Sequence, residues 1–257
     1  MATAADFLLR PRSWQRLFRV AAYATVAALA PSSYGPAARE LAVRQVYLSA
    51  WKVLPGYLAF TALLSVVLIQ IADGALRAFG LAPYSLELVL RVLVLELVPL
   101  LTVFFVAFRS GTAVAAEIAV MRVTGELDDT AESGSDELRG ELVPRVAATA
   151  LSVFALTTLG GMLALAITYW SYFHTSRAGF FVFTRVVGTV FDDLVLVGLA
   201  LKFVLFGAAV ALIPIACGLE AERDRMKSVP AVVLAGLMKL VLAILLIEVV
   251  VLMVKYV

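Results

Sequence analysis

Residues 86–108 read LELVLRVLVLELVPLLTVFFVAF. Over this stretch only Glu87, Arg91 and Glu96 are charged, and no glycine interrupts it. About 20 such residues, at a rise of ~1.5 Å each, cross a hydrocarbon core of about 30 Å. In lipid every backbone N–H and C=O must be paired within the protein, so a lone segment of this kind is a helix. Four further runs have the same character: 51–72, 142–170, 194–217 and 230–254. A transmembrane β-barrel needs short segments of alternating polarity, whereas these runs are continuous. The expected fold is an all-α polytopic membrane protein with five transmembrane helices.

Composition points the same way. Of the 257 residues, 63% are hydrophobic and 16% are charged, where a soluble domain carries roughly a quarter charged residues. A mean hydropathy of +0.99 leaves too little polar surface to cover one soluble core. The net charge of +2 and the lack of a Lys/Arg tract argue against nucleic acid as a partner. One cysteine, Cys217, excludes an internal disulfide and a cysteine metal cluster, and one histidine, His174, leaves no Ser-His-Asp triad or histidine metal site to expect. His174 reads as a surface residue.

Ahead of the first run, Arg10, Arg12, Arg16 and Arg19 precede a short apolar stretch at 20–30. Its length resembles a signal-peptide core, but sequence of the same basic and apolar kind follows, so cleavage is not expected. Trp14, Leu17, Phe18 and Ala21 fall at helical spacing opposite Arg12, Arg16 and Arg19, the pattern of an interfacial helix. The expected division is a cytoplasmic N-terminus with this helix at 1–50 and a membrane domain at 51–257. Lys and Arg gather in the N-terminal segment, after the second run (Arg109, Arg122, Arg139, Arg145) and after the fourth (Arg223, Arg225, Lys227). The positive-inside rule then places the N-terminus in the cytoplasm and, after five crossings, the C-terminus outside. Tyr169, Trp170, Tyr172 and Phe173 form an aromatic belt at an expected exit point. Tyr47 and Trp51 read as interfacial anchors. The cytoplasmic connection 110–141 begins with an Ala-rich helical segment and continues into an acidic run with Glu126 and Asp128. That run is either a solvated face or a docking surface for a positively charged partner.

Some charges fall inside the membrane runs. Counted from the outer ends of their helices, Glu96 lies roughly 15 Å deep and Lys202 roughly 13 Å. A charge near mid-bilayer costs about 2.5–3.5 kcal/mol, so opposite charges at one depth are expected to meet. Two readings follow: a structural ion pair between helices, or the lining of an outward-facing lipid cavity with Lys202 at a phosphate. Glu248 lies in the outer half of the fifth run and Lys239 in its inner half. Pro99 is expected to kink the second helix and help shape a cavity.

Several stretches carry a family resemblance. FRSGTAVAAEIAVMRVTGELDD, starting at Phe108, resembles the MlaE/YrbE permease signature GRSGxAxAAEIGxMxVTEQIDAL. VRQVY at 43–47, VLELVPLL at 94–101, LVPRVAA at 142–148 and ALKFVLFGAAVALIPIACGL at 200–219 resemble further family blocks in the same order. There are departures: the family's Arg-Glu pair reads Leu95-Glu96 here, and Val98 stands where a glycine precedes the proline. The resemblance implies five transmembrane helices after an N-terminal interfacial helix, with a cytoplasmic coupling helix between the second and third. It implies an inner-membrane permease of a lipid ABC transporter, paired with a second permease chain as a homodimer or heterodimer. An MlaF-like ATPase, a periplasmic MCE-domain protein like MlaD and an MlaB-like STAS protein are the implied partners. The implied cargo is phospholipid or a related lipid. Glu96, Pro99, Lys202 and Glu248 are then the candidate lipid-site residues. Arg109, Glu117, Arg122, Glu126 and Asp128 fall to the ATPase-facing element.

No G-x-x-x-x-G-K-[ST] occurs, so this chain has no such loop for ATP phosphates; ATP is expected on a partner and no cofactor on this chain. A lipid-modifying enzyme would want clustered His, Asp or Glu at the membrane face, and Asp192-Asp193 alone does not supply that. The remaining alternative is a non-ABC carrier or a scaffold.

Overall fold

The computed structural model describes residues 53–125, 135–174, 176–221, 226 and 229–256, with 135–144 and 256 by backbone alone. The expected interfacial helix at 1–50, Tyr47, Trp51, Glu126 and Asp128 lie outside these residues. Among the described residues there are helices and no strands.

The first span is α1, Leu54–Ala78. The second is built in pieces along one helical backbone: α2 (Ser85–Val89), a π-helical stretch Leu90–Leu97, α3 (Val98–Val106), a second π-helical stretch Ala107–Gly111, and α4 (Thr112–Thr124). Next come α5 (Ser135–Phe173), α6 (Arg177–Val190), α7 (Asp193–Gly218) and α8 (Val229–Tyr256). Five helical stretches among the described residues are long and apolar enough to cross a membrane, in agreement with the five runs read from the sequence.

The spans form one bundle, and the second span is its axis. In its most apolar window 56% of residues are buried, against 22% in α1 and in α8, which therefore turn most of their surface outward. One apolar cluster joins all five spans, for example Tyr57 of α1, Val103 of α3, Leu156 of α5, Phe206 of α7 and Ile244 of α8. Several buried hydroxyls are satisfied locally, although the Thr61 hydroxyl has no partner among the described residues. Ser65, Thr157 and Thr168 each donate to the carbonyl four residues earlier, and Tyr57 hydrogen-bonds Thr102 at 2.6 Å. Such pairing is required where no water can reach the donors.

Three features differ from the expected outline. The coupling helix anticipated after the second span is a direct continuation of it: Val106, Ala107 and Gly111 all have right-handed helical dihedrals. Nothing between Phe108 and Thr112 breaks a helix, since Gly111 is helical and no proline intervenes. The helix ends only at Gly125, whose φ of 83° suits a glycine C′ residue. The helix that carries the third span, α5, starts at Ser135, ahead of the run at 142–170, and its membrane-spanning part is Arg145–Phe173. The segment after it, between the runs at 142–170 and 194–217, contains α6. Ser176 caps that helix by accepting from Gly179 N–H, and Gly179, Phe183 and Val190 form its buried stripe.

At the opposite end of the bundle α4 is bedded on α7 and α8. Val114, Ile118 and Met121 pack with Ala211 and Ile215 of α7 and Val146 of α5, and Ala119 and Val123 pack with Val232 of α8. The approach to α7 requires glycine at 218, where a Cβ would lie 2.8 Å from Ile118 Cβ and 2.9 Å from the Ala115 carbonyl oxygen. Gly218→Val is therefore expected to lift α4 from its bed at a cost of about 1–3 kcal/mol. Thermal unfolding in detergent, followed by size exclusion, checks this. A melting temperature equal to that of the parent would show that the close approach is dispensable.

Candidate functional site

The helical register of α7 buries Lys202. Lys202, Phe206, Ala209, Val210 and Ile213 recur at three- and four-residue spacing and all face inward, whereas Leu201 and Val204 face outward. On α8 the same logic aligns Leu240, Ile244 and Glu248, buried one turn apart, with Lys255 two turns beyond Glu248. Glu96 comes from the π-helical stretch of the second span. A π turn carries more residues than an α turn and so re-phases the side chains around it; such turns recur at functional sites.

These three helices deliver their charges to one place. Lys202 Nζ lies 2.5 Å from Glu96 Oε2 and 2.8 and 2.9 Å from the two oxygens of Glu248. Lys255 Nζ donates to the other oxygen of Glu96 at 2.6 Å. Lys202 also donates to the Leu95 carbonyl at 3.4 Å. Pro99 has no N–H to offer that carbonyl, four residues before it. Pro99 sits buried where the π-helical stretch gives way to α3. An ammonium has three N–H donors, and these three acceptors account for all of them. The side chain of Lys202 is 2% exposed, and its Nζ also stands 5.7 Å from the centre of the Phe206 ring.

In formal charge the four groups cancel: two carboxylates and two ammoniums alternate along the chain Lys255–Glu96–Lys202–Glu248. Left bare in hydrocarbon they would cost on the order of 10 kcal/mol together. Glu96 and Lys255 are the more open members, at 15% and 18% side-chain exposure, so the cluster is reached from their side. The structure brings together three of the four residues named from the sequence as a lipid site, with Pro99 just behind them. It adds Lys255, which is not among the candidates named from the sequence. A lysine at a helix end reads as one that snorkels to the surface; its seven-residue spacing from Glu248 was the signal for a shared face.

At the α4 end the named residues are spread out. Glu117 is exposed on α4 and accepts from Arg145 Nη2 of α5 at 3.1 Å. Arg122 is half-buried on the same helix, and Arg109 is exposed in the second π-helical stretch. Lys239, buried in α8, pairs with Glu220 at 3.2 Å.

Comparison with known proteins adds to this geometry. The family model described as Permease MlaE matches residues 42–254. A probable ABC transporter permease protein of Synechocystis is 42% identical over 71 residues, covering 28% of this chain and 27% of the relative. A probable ABC transporter permease protein of Rickettsia felis is 30% identical over 118 residues, covering 42% of this chain and 46% of the relative. The chain thus matches less than half the length of these curated relatives.

Removing one member of the cluster leaves an opposite charge buried without a partner, which costs about 3–5 kcal/mol. Lys202→Ala is expected to lower the detergent melting temperature, and Lys202→Met/Glu248→Gln, which leaves the Glu96–Lys255 pair in place, to restore most of the loss. Equal melting temperatures for Lys202→Ala and the parent would show that the carboxylates do not depend on the lysine.

Proposed function

Because the chain belongs to the MlaE permease family, we propose that it is the membrane-spanning subunit of an ABC transporter for phospholipid or a related lipid. In this reading the lipid passes between the inner membrane and a periplasmic MCE-domain protein of the MlaD kind. ATP is hydrolysed by a separate MlaF-like ATPase, with an MlaB-like STAS protein attached and a second permease chain, identical or related, completing the transmembrane unit. The N-terminus and α4 face the cytoplasm, and the C-terminal end of α8 faces the periplasm.

One observation carries the proposal: a single helical backbone from Ser85 to Thr124 holds Glu96 near one end and α4 at the other. A push on α4 from an ATPase thereby has a direct route to the charge cluster. Glu117 and Arg122 on α4, with Arg109 just before it and Glu126 and Asp128 just after, are the residues we assign to the ATPase-facing side. Glu96, Lys202 and Glu248 are assigned to the wall of the lipid site, with Pro99 shaping the turn behind them. Lys255 joins them as the most exposed cation of the cluster. An alternating cluster suits a phospholipid headgroup because the headgroup phosphate can replace a carboxylate on a lysine without leaving that lysine bare.

Liposomes holding the chain with its ATPase and MCE partners, loaded with fluorescent phosphatidylethanolamine, provide the test. Transfer is expected only with ATP and the ATPase present. Glu96→Ala and Lys202→Ala are each expected to impair transfer while still inserting in the membrane. The Lys202→Met/Glu248→Gln variant is expected to do so at near-parental stability. Transfer at the parental rate from both alanine variants would remove the cluster from the lipid path. Transport by the purified chain alone would point instead to an autonomous carrier.

A further inference from the structure

Arg145, near the start of the described side chains of α5, is 5% exposed. Its guanidinium reaches across to α4, where Nη2 donates to Glu117 Oε1 at 3.1 Å and Nη1 lies 3.7 Å from Met121 Sδ. Its Nε–H is buried and has no hydrogen-bond partner among the described residues. A guanidinium carries five donors in a rigid fork and pairs best with both oxygens of a carboxylate at once. Here one carboxylate oxygen and a weak sulfur acceptor serve a buried cation. A buried charge so incompletely satisfied adds little to stability, and an unpaired buried donor calls for an explanation.

The setting supplies one. The second π-helical stretch joins α4 to the second span, and α4 lies against the ends of α7 and α8 through Gly218 and Val232. Towards α5, Val146 makes the apolar contact and Arg145 the charged one. We propose that Arg145 is a positioning residue that carries displacement of α4 into the third span. The inference rests on the reading of α4 as the ATPase-facing element. In the arrangement described, the pair is held at one point. A shift of α4 towards the vacant Nε brings up the second oxygen of Glu117 and closes the fork, so the start of α5 follows α4. Glu117 is 52% exposed, so its carboxylate remains within reach of a partner that moves α4.

Two measurements test this. In ATP-driven transfer with the full complex, the readout is lipid moved per ATP hydrolysed. Arg145→Ala is expected to lower that ratio about tenfold, within the range of site-to-site couplings. Arg145→Lys keeps the charge but lacks the fork, and is expected to stay well below the parent. The exchange Glu117→Arg/Arg145→Glu is expected to recover much of the ratio. An unchanged ratio in Arg145→Ala or Arg145→Lys overturns the proposal. So does a fall in transfer and hydrolysis together that the exchange fails to reverse, because that marks a merely structural residue. The second measurement needs no ATPase. Spin labels at the exposed positions Val120 and Leu151, in a Cys217→Ala background, report the α4–α5 distance in the purified chain. A narrow distribution that broadens in Arg145→Ala supports the strut, and identical distributions overturn it. If the parent complex shows no ATP-driven transfer while Arg145→Ala broadens the distribution, the transporter reading fails and the mechanical link stands.

Discussion

A charged side chain within hydrocarbon has no water to turn to, and Lys202 meets this constraint entirely with protein atoms. Glu96, Glu248 and the Leu95 carbonyl occupy its donors, and the three acceptors come from two other helices. Packing of Leu, Val and Phe does not by itself define how far one transmembrane helix slides past another, because lipid tails and core side chains are nearly the same solvent. The charges do define it. About nine residues from the start of α7, eight from the end of α8 and eleven from the start of α2 must come to one depth, roughly 12–16 Å from the same end of the bundle. The register of the central span, α7 and α8 is therefore tied to the cluster, and the apolar contacts around Phe206 and Ile244 are made within that register.

The opposite end is held by a different device. There, close backbone approach replaces charge: Gly218 lets α4 sit against α7 with Ile118 and the Ala115 carbonyl at contact distance. Small residues at helix crossings are the usual means of association where no hydrophobic force operates between helices. The two devices are joined by the second span, whose two π-helical stretches flank α3. A local conflict is resolved beside the upstream stretch. Pro99 cannot donate to the carbonyl of Leu95, and Lys202 donates to that carbonyl within the membrane.

How much of this was legible in the sequence depended on whether the signal was local. The five spans were, because length and apolarity within a single segment suffice to identify them. Glu96 and Lys202 could be matched by counting depth along two helices, and that count brought them to a direct contact. Lys255 could not, since a cation at a helix end is satisfied by water in most proteins and only the packing of α8 reveals otherwise. Arg145 counted towards orientation, and its partner Glu117 lies 28 residues earlier, a separation at which sequence offers no pairing rule. The helix α6 was overlooked for another reason. Its 14 residues are too few to span a membrane, and its exposed Phe180 and Phe181 blur the buried stripe that Gly179, Phe183 and Val190 would otherwise announce. The continuity between the second span and α4 was hidden by polarity: Arg109, Ser110 and Gly111 look like a loop, yet none of them forbids a helix.

A cluster of alternating charges has a property that a single buried pair lacks. Stripping one partner from a pair leaves a bare charge at a cost of about 3–5 kcal/mol, which makes such a pair a lock. In the series Lys255–Glu96–Lys202–Glu248, each interior group has two partners of opposite sign, so one contact can open while the other persists. An incoming anion at Lys255 displaces Glu96 from it, and Glu96 retains Lys202, so each group keeps at least one partner of opposite sign. Under the proposed function, that is the physical requirement on a site that must take up a phosphate headgroup and then release it. The charges that set the helix register are then also the ones able to exchange partners, with Lys202 as the fixed member and Lys255 as the variable one.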